Sequence, residues 1–343
     1  MTNHPPLLSA WGAIDPRLAE YLRHSGWAHT TAKVDPLHGD ASTRSYVRVT
    51  TTDRQSVVLV LHPEPFTTGS LPQIVVGALF SSLGIPVPTV VDQSPELGIL
   101  AVEDLGNQTL QDWLAASERP DPMPFYREAL GHIATLQNLD NAHRDTEELP
   151  FTLALDAAKL TWELEFFCTE FLDIHRHAQF SSTASQALRH ELGNLAEELA
   201  AEPRVLCHRD YHSRNLMVHR DRLVVIDFQD ARLGPSTYDL VSLLRDCYVD
   251  LPPKLVTQLI AEHLDNIPTE RTDDFQQRFD VMSVQRHLKA LGTFGHQVSR
   301  RGRSEFASAI PRTMGYLRRT LQRYSRFERL LGLLEPHLPE LRS

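Results

Sequence analysis

The sequence predicts an α+β chain in two lobes, a β-rich N-terminal lobe over residues 1–104 and a mostly helical C-terminal lobe over residues 105–343. Three observations carry this. The β-branched runs fall before Glu103; apolar residues recur every three or four positions from Thr109 onward; and Glu103-Asp104-Leu105-Gly106-Asn107 interrupts both patterns. Length agrees, because 343 residues exceed one comfortable hydrophobic core.

In the first lobe Tyr46–Thr50 and Ser56–Leu61 are strand-like, joined by the turn residues Thr52-Asp53-Arg54-Gln55. Lys33–Leu37 offers another strand, leading into the turn LHGDASTR. Leu71–Leu83 has helical spacing and stops at Gly84, with Pro86 beyond it. Thr89–Val91 and Gly98–Val102 read as two further strands. In the second lobe Thr109–Ala116, Pro122–Leu139, Thr152–Ile174 and Thr183–Ala200 read as helices, and Pro203 ends the run. A short strand, Arg204–Cys207, enters a polar loop that reaches Asn215. Leu216–His219 and Leu223–Ile226 then form a hairpin through Arg220-Asp221-Arg222, and helices resume after Pro235.

Composition narrows the class of partner. Hydrophobic content of 41% and charged content of 23% are ordinary for a soluble globular protein. A formal net charge of −10 argues against a nucleic-acid partner, which asks for a basic surface, and does not favour an anionic membrane. Cys168, Cys207 and Cys247 are odd in number and far apart, with no C-x-x-C pair, so reduced thiols in a cytoplasmic protein are expected. The N-terminus shows no signal-peptide pattern, and the apolar stretch Leu71–Val91 is broken by Gly77, Gly84, Pro86 and Pro88.

The chemistry concentrates in VLCHRDYHSRNLMV followed by RLVVIDFQDARLGPSTYDL. Phosphoryl transfer needs a carboxylate that orients the attacking hydroxyl and takes its proton, and Asp210, on a loop leaving a strand, suits that role. It also needs divalent cations that bridge the phosphates, and magnesium prefers oxygen donors. Asn215, five residues after Asp210, and Asp227, ending the apolar strand, supply such donors from one loop–hairpin unit. The order H-x-D-x-x-x-x-N, then an apolar strand ending in D-F, is a strong signature. His208, Asp210 and His212 are also the right types for zinc, and alternate positions on an extended segment share a side. That arrangement would leave Asn215 and Asp227 without a role.

HRDYHSRN with IDFQD and the later Tyr238-Asp239-Leu240 resembles the aminoglycoside-phosphotransferase and choline-kinase-like branch of the two-lobed protein-kinase-like fold. The helix that starts soon after Gly234-Pro235 fits that branch, which lacks an activation segment. HGDASTRSYVRV at 38–49, VEDLGNQTL at 102–110, YDLVSLLRDCY at 238–248 and QRHLKALGTFG at 285–295 are similar to bacterial anomeric kinases of N-acetylmuramate and N-acetylglucosamine. The resemblance implies transfer of the γ-phosphate of ATP, with Mg2+, to the anomeric hydroxyl of an amino-sugar acceptor, in cell-wall recycling.

That frame assigns the remaining candidates. Gly39, Ser42 and Arg44 sit where a phosphate-covering turn belongs, although one glycine in a hairpin is commonly just a turn. Glu103 and Leu105 fit a hinge whose backbone meets the adenine edge, and a strand-ending turn would use the same residues. His208 packs the catalytic loop, and Asp239 accepts its N–H groups and fixes Asp210. For the acceptor, the candidates are His212, Arg245, Arg286 and Lys289; the last two share a helix face and suit a lactyl carboxylate, or form a solvated face. One departure stands out. SVVLVLHPEP lacks the lysine expected for the α- and β-phosphates, and LPQIVVGALFSSLG lacks its partner glutamate; Arg44 and His62 are the nearest cations. The gap leaves open a non-catalytic nucleotide-binding protein, and the acceptor leaves open a kinase of aminoglycoside, choline or homoserine type.

Overall fold

SVVLVL is apolar at odd and even positions alike, and such a strand must be covered on both faces. In a computed structural model of the chain, which describes residues 15–37, 44–116, 121–139, 149–270 and 272–342, it lies at the centre of a sheet. The strands are β1 (Thr31–Leu37), β2 (Ser45–Thr51), β3 (Ser56–Leu61), β4 (Val90–Ser94) and β5 (Ile99–Glu103). They pair antiparallel in the order β1-β2-β3-β5-β4. Val57, Leu59 and Leu61 of β3 join Val47, Val49, Ile99 and Ala101 on one face, against Leu18, Tyr21 and Leu22 of helix α1 (Pro16–His24). Val60 faces the other way with Leu100, Val102 and Leu71, at the start of α2 (Pro72–Ser82). Gly39 and Ser42 lie outside the described residues.

The chain divides into two compact units: one holds the residues up to Asn107 with Val224–Ile226, the other Gln108–Leu223 and Asp227 onward. Val225 donates its N–H to the Pro86 carbonyl at 2.8 Å within the first unit, a return of the chain that a division at 104/105 does not contain.

The second unit begins with α3 (Leu110–Ala115), started by a Thr109/Asp112 capping box, and α4 (Met123–Gln137). The helix expected from Thr152 starts later, as α5 (Ala157–Phe166), because Leu155 donates to the Leu233 carbonyl at 2.7 Å in strand fashion. It then widens into a π-helical segment, Phe167–His175. After α6 (Ser182–Ala200) come β6 (Arg204–Cys207), the hairpin β7 (Leu216–His219) and β8 (Arg222–Val225, whose last two residues count with the first unit), and β9 (Arg232–Pro235). The hairpin turn places Arg220 and Asp221 at φ of 50° and 57°, the left-handed pair that a tight two-residue turn requires. β9, which the sequence does not announce, pairs antiparallel with β6. The rest is helical: α7 (Thr237–Leu244), α8 (Pro253–Asn266), α9 (Phe275–Ser299), α10 (Ile310–Arg323) and α11 (Glu328–Leu334).

Close backbone contact locates α9. A Cβ on Gly292 would lie 2.9 Å from the Phe167 Cα, and one on Gly295 would lie 2.6 Å from the Glu170 carbonyl oxygen, so the π segment rests directly on this glycine face. Among the described residues no helix is long and apolar enough to cross a membrane. The three cysteines are free, Cys168 and Cys207 buried among core side chains.

Candidate active site

β6 delivers the chain into His208-Arg209-Asp210, with Arg209 in the left-handed region at φ 83°. Asp239, buried in the first turn of α7, holds this corner by accepting the N–H of His208 at 2.6 Å and of Arg209 at 2.9 Å. The fully buried His208 offers Nδ1 to the Asp210 N–H at 3.2 Å. Asn215 closes the loop, its Nδ2 donating to the Asp210 carbonyl at 2.9 Å. A second buried carboxylate, Asp246, accepts the N–H groups of Ser213 and Tyr248 at 2.8 and 2.7 Å. Burial raises both Asp239 and Asp246 above the ordinary carboxylate value, and the N–H bonds oppose that rise.

Three cations surround the Asp210 carboxylate. Lys289 Nζ donates to Oδ1 at 2.7 Å, and Arg286 Nη1 lies 3.6 Å from the same oxygen. Burial works to raise Asp210, but the charges of Lys289, Arg209 and Arg286 outweigh it and hold the carboxyl well below the usual range. Burial pushes Lys289 down to about 8 against the pull of Asp210, and pushes His212 down to about 3. Behind the loop, Glu163 of α5 is 1% exposed and accepts Arg209 Nη2 at 3.0 Å and Gln285 Nε2 at 2.9 Å. Burial opposes its charge, and Lys289 and Arg209 outweigh burial.

Asp210 opens onto a recess whose walls are His212, Arg245, Tyr248, Arg286, Lys289 and Phe294, among others. All four expected acceptor residues therefore border one space. Their states differ. Arg286 is 8% exposed and donates to the Tyr238 hydroxyl at 2.9 Å, and the Lys289 side chain is 13% exposed, so the solvated helix face is excluded. Arg245 is spent on buried Asp280 and on Thr320, and it lies over the Phe279 ring. His212 stands edge-on to Tyr248, with ring centroids 5.2 Å apart.

Asn215 and Asp227 fit a magnesium ion by donor type. The Asn215 amide is oriented by its bond to Asp210, which leaves Oδ1 as its acceptor. Asp227 is exposed, sits at φ 61°, and accepts the Gln229 amide at 2.9 Å through Oδ1. Among the described residues no three or more His, Cys, Asp or Glu side chains are grouped to hold a metal, so His208, Asp210 and His212 do not make a zinc set.

In the first unit, Arg44 lies 5.9 Å from the Tyr46 ring centroid, and its charge, after burial, holds His62 below its ordinary value. Glu103 has committed its N–H to the Thr89 carbonyl at 2.8 Å, so that group is not available to a ligand. Leu105 is buried. The turn around it is held by Arg48, which donates to Asp104, Gly106 and Asn107 at 2.8 to 2.9 Å.

A fold of this order, with an aspartate on such a loop, has counterparts. A family model described as the phosphotransferase enzyme family matches residues 33–274. This chain belongs to that family. The phosphotransferase is 34% identical over 302 residues to a Neisseria meningitidis protein named N-acetylmuramate/N-acetylglucosamine kinase, covering 86% of this chain and 87% of that one. A Pseudomonas aeruginosa protein of the same name is 32% identical over 340 residues, covering 97% and 96%. Solved structures show the fold: a choline/ethanolamine kinase family protein from Mesorhizobium loti has a TM-score of 0.59 at 14% identity, covering 96% of this chain and 99% of its own. An ADP-bound aminoglycoside phosphotransferase has a TM-score of 0.55 at 14% identity, covering 87% and 97%.

Three residues of this phosphotransferase escaped the sequence reading: Glu163, Asp246 and Arg48. Glu163 lies inside an otherwise ordinary helix, Arg48 inside an ordinary strand and Asp246 just past the end of α7, and their partners lie 33 to 56 positions away. Asp246 alone left a signal, as a carboxylate within the buried YDLVSLLRDCY run.

Proposed function

We propose that the chain is an ATP-dependent kinase that phosphorylates the anomeric hydroxyl of N-acetylmuramate or N-acetylglucosamine. One observation carries the acceptor assignment: the recess beside Asp210 is cationic, with Arg286 and Lys289 on its wall and no other carboxylate among its lining residues. Polycationic aminoglycosides and quaternary choline would meet like charge there, whereas a neutral or acidic sugar would not. The relatives' names agree with that selection.

On this reading Asp210 orients the acceptor hydroxyl and takes its proton, and Asp239, Asp246 and Glu163 keep the loop in place for it. Asn215 and Asp227 would hold magnesium, which when bound supplies charge neutralisation at the nucleotide phosphates. Residues 1–104 form the nucleotide lobe, with Gly39, Ser42, Arg44 and the Glu103–Leu105 turn as its contacts, and residues 105–343 carry the catalytic loop and acceptor site. Tyr248 and Phe294, with ring centroids 5.9 Å apart, give the sugar an apolar wall.

The test is NMR of a reaction containing the protein, ATP, magnesium and N-acetylmuramate or N-acetylglucosamine. Coupling between phosphorus and the anomeric proton is expected. Transfer to any other hydroxyl, or no transfer to either sugar, overturns the assignment.

A further inference from the structure

The chain has four lysines and thirty arginines, and one of those lysines is the cation on Asp210. Lys33 is a surface residue with 69% side-chain exposure, and Lys159 covers the Trp162 ring at 3.8 Å. Lys289, by contrast, stands one helical turn beyond Arg286 on α9 and borders the recess with its ammonium directed at the base carboxylate. An arginine there would be a planar fork that stays engaged; lysine is a compact point charge on a flexible stem.

An ammonium at 2.7 Å from the carboxylate stands where an acceptor hydroxyl must approach, and phosphoryl transfer builds negative charge next to that hydroxyl. We propose that Lys289 is a catalytic residue of this transfer: it steadies Asp210 in the resting enzyme and turns to the transferring phosphoryl group during reaction. The proposal rests on the kinase reading above. In the step, the acceptor oxygen bonds to phosphorus as the bond from phosphorus to the departing ADP oxygen breaks, the hydroxyl proton passes to Asp210, and Lys289 keeps its own proton.

The groups facing Lys289 are Asp210, Arg209 and His212 of the loop, Glu163 of α5 and Arg286 of its own helix. Burial and the two arginines lower its pKa to about 8 against the carboxylates, so its charge is lost within an accessible pH range.

Wild type, Lys289→Met and Lys289→Arg are assayed with ATP, magnesium and each sugar in turn across pH. Lys289→Met should lower kcat at least about a hundredfold with both sugars and leave KM nearly unchanged. Lys289→Arg should recover part of kcat and move the alkaline fall of the rate, expected near pH 8, to higher pH, because a guanidinium stays charged. A Lys289→Met enzyme that keeps its kcat and loses affinity only for the carboxylate-bearing sugar overturns the proposal, making Lys289 a specificity cation. The ε-carbon NMR signal of Lys289 gives a readout free of turnover: its apparent pKa should fall further in Asp210→Asn, and no movement overturns the pairing. If the wild-type enzyme phosphorylates neither sugar, the sugar assignment fails by itself, and the same Met and Arg comparison is decided on ATP hydrolysis with water as acceptor.

Discussion

Glu163 and Arg209 meet at 3.0 Å across 46 positions of sequence, with side chains 1% and 13% exposed. A non-glycine residue at φ 83° costs about 1–3 kcal/mol and persists only where its surroundings over-determine it. The surroundings here are this ion pair in front and the Asp239 carboxylate behind. Because Glu163 also receives Gln285, one carboxylate ties α5, the loop at Arg209 and α9 together.

Removing that carboxylate leaves a buried guanidinium without its partner. Glu163→Ala is expected to lose about 3–5 kcal/mol of stability, the usual consequence of breaking a buried pair from one side. Its kcat should fall as well, since Arg209 precedes Asp210 directly. Urea unfolding and steady-state kinetics read both, and a variant within about 1 kcal/mol of wild type would exclude the structural role.

Asp210→Asn keeps the shape of the proposed base and removes its charge. Turnover should drop by at least about a hundredfold, the range of general-base contributions. Nucleotide affinity, measured by calorimetry, should hold, because the substitution touches the acceptor side. Retained turnover would remove Asp210 from its role.

How the site arises explains what could be read in advance. Asp210, Asn215 and Asp227 are local: they hang on one loop and one hairpin, so spacing exposes them, and Asp239 on the helix after it was reached through the family resemblance. The strands of the first unit were legible for the same reason, since β3 from Val57 on and β5 up to Val102 are apolar on both faces and β2 alternates. α1 went unread although Asp15 caps it and Pro16 opens it, because its apolar residues are only Leu18, Tyr21 and Leu22 on one short turn and a half. Glu163 was beyond local pattern, and Lys289, read as an acceptor candidate on a shared helix face, gave no sign of its bond to Asp210: a glutamate and a lysine on amphipathic helices show their partners only when distant segments are brought together. The π segment was hidden too, because its sequence, FCTEFLDIH, keeps helical spacing and its close contact with Gly292 and Gly295 is visible only in the fold.

Two glycines, one on that face and one on α10, yield opposite outcomes for the same substitution. Gly295→Ala would press a methyl group to within 2.6 Å of the Glu170 carbonyl, a backbone atom that cannot swing aside. A loss of about 1–3 kcal/mol is expected, with reduced kcat as α9 carries Lys289 and Arg286 outward. Gly315→Ala on α10 meets only an arginine side chain at 3.6 Å and should be neutral or stabilising by up to about 1 kcal/mol. Thermal unfolding of the two variants checks the sign of each.

Acid should weaken the fold before the carboxylates titrate. His132, His263 and His287 are buried, and burial lowers them from the ordinary 6.5 to about 4, 4 and 3. Each is held by a neutral partner: the Tyr211 hydroxyl at 3.0 Å, the Gln137 side-chain oxygen at 3.1 Å and the Arg245 carbonyl at 3.0 Å. Below pH 6.5 the unfolded chain takes up protons that the folded chain refuses, so the stability present above that pH falls as pH drops toward 4. Each histidine contributes about 1.4 kcal/mol per pH unit in that window. Urea midpoints at pH 7, 6 and 5 should decline steadily, and His263→Gln, which cannot take up a proton, should flatten the slope by one histidine's share. A midpoint that stays level from pH 7 to 5 would mean that these rings are already protonated or reached by water in the folded protein.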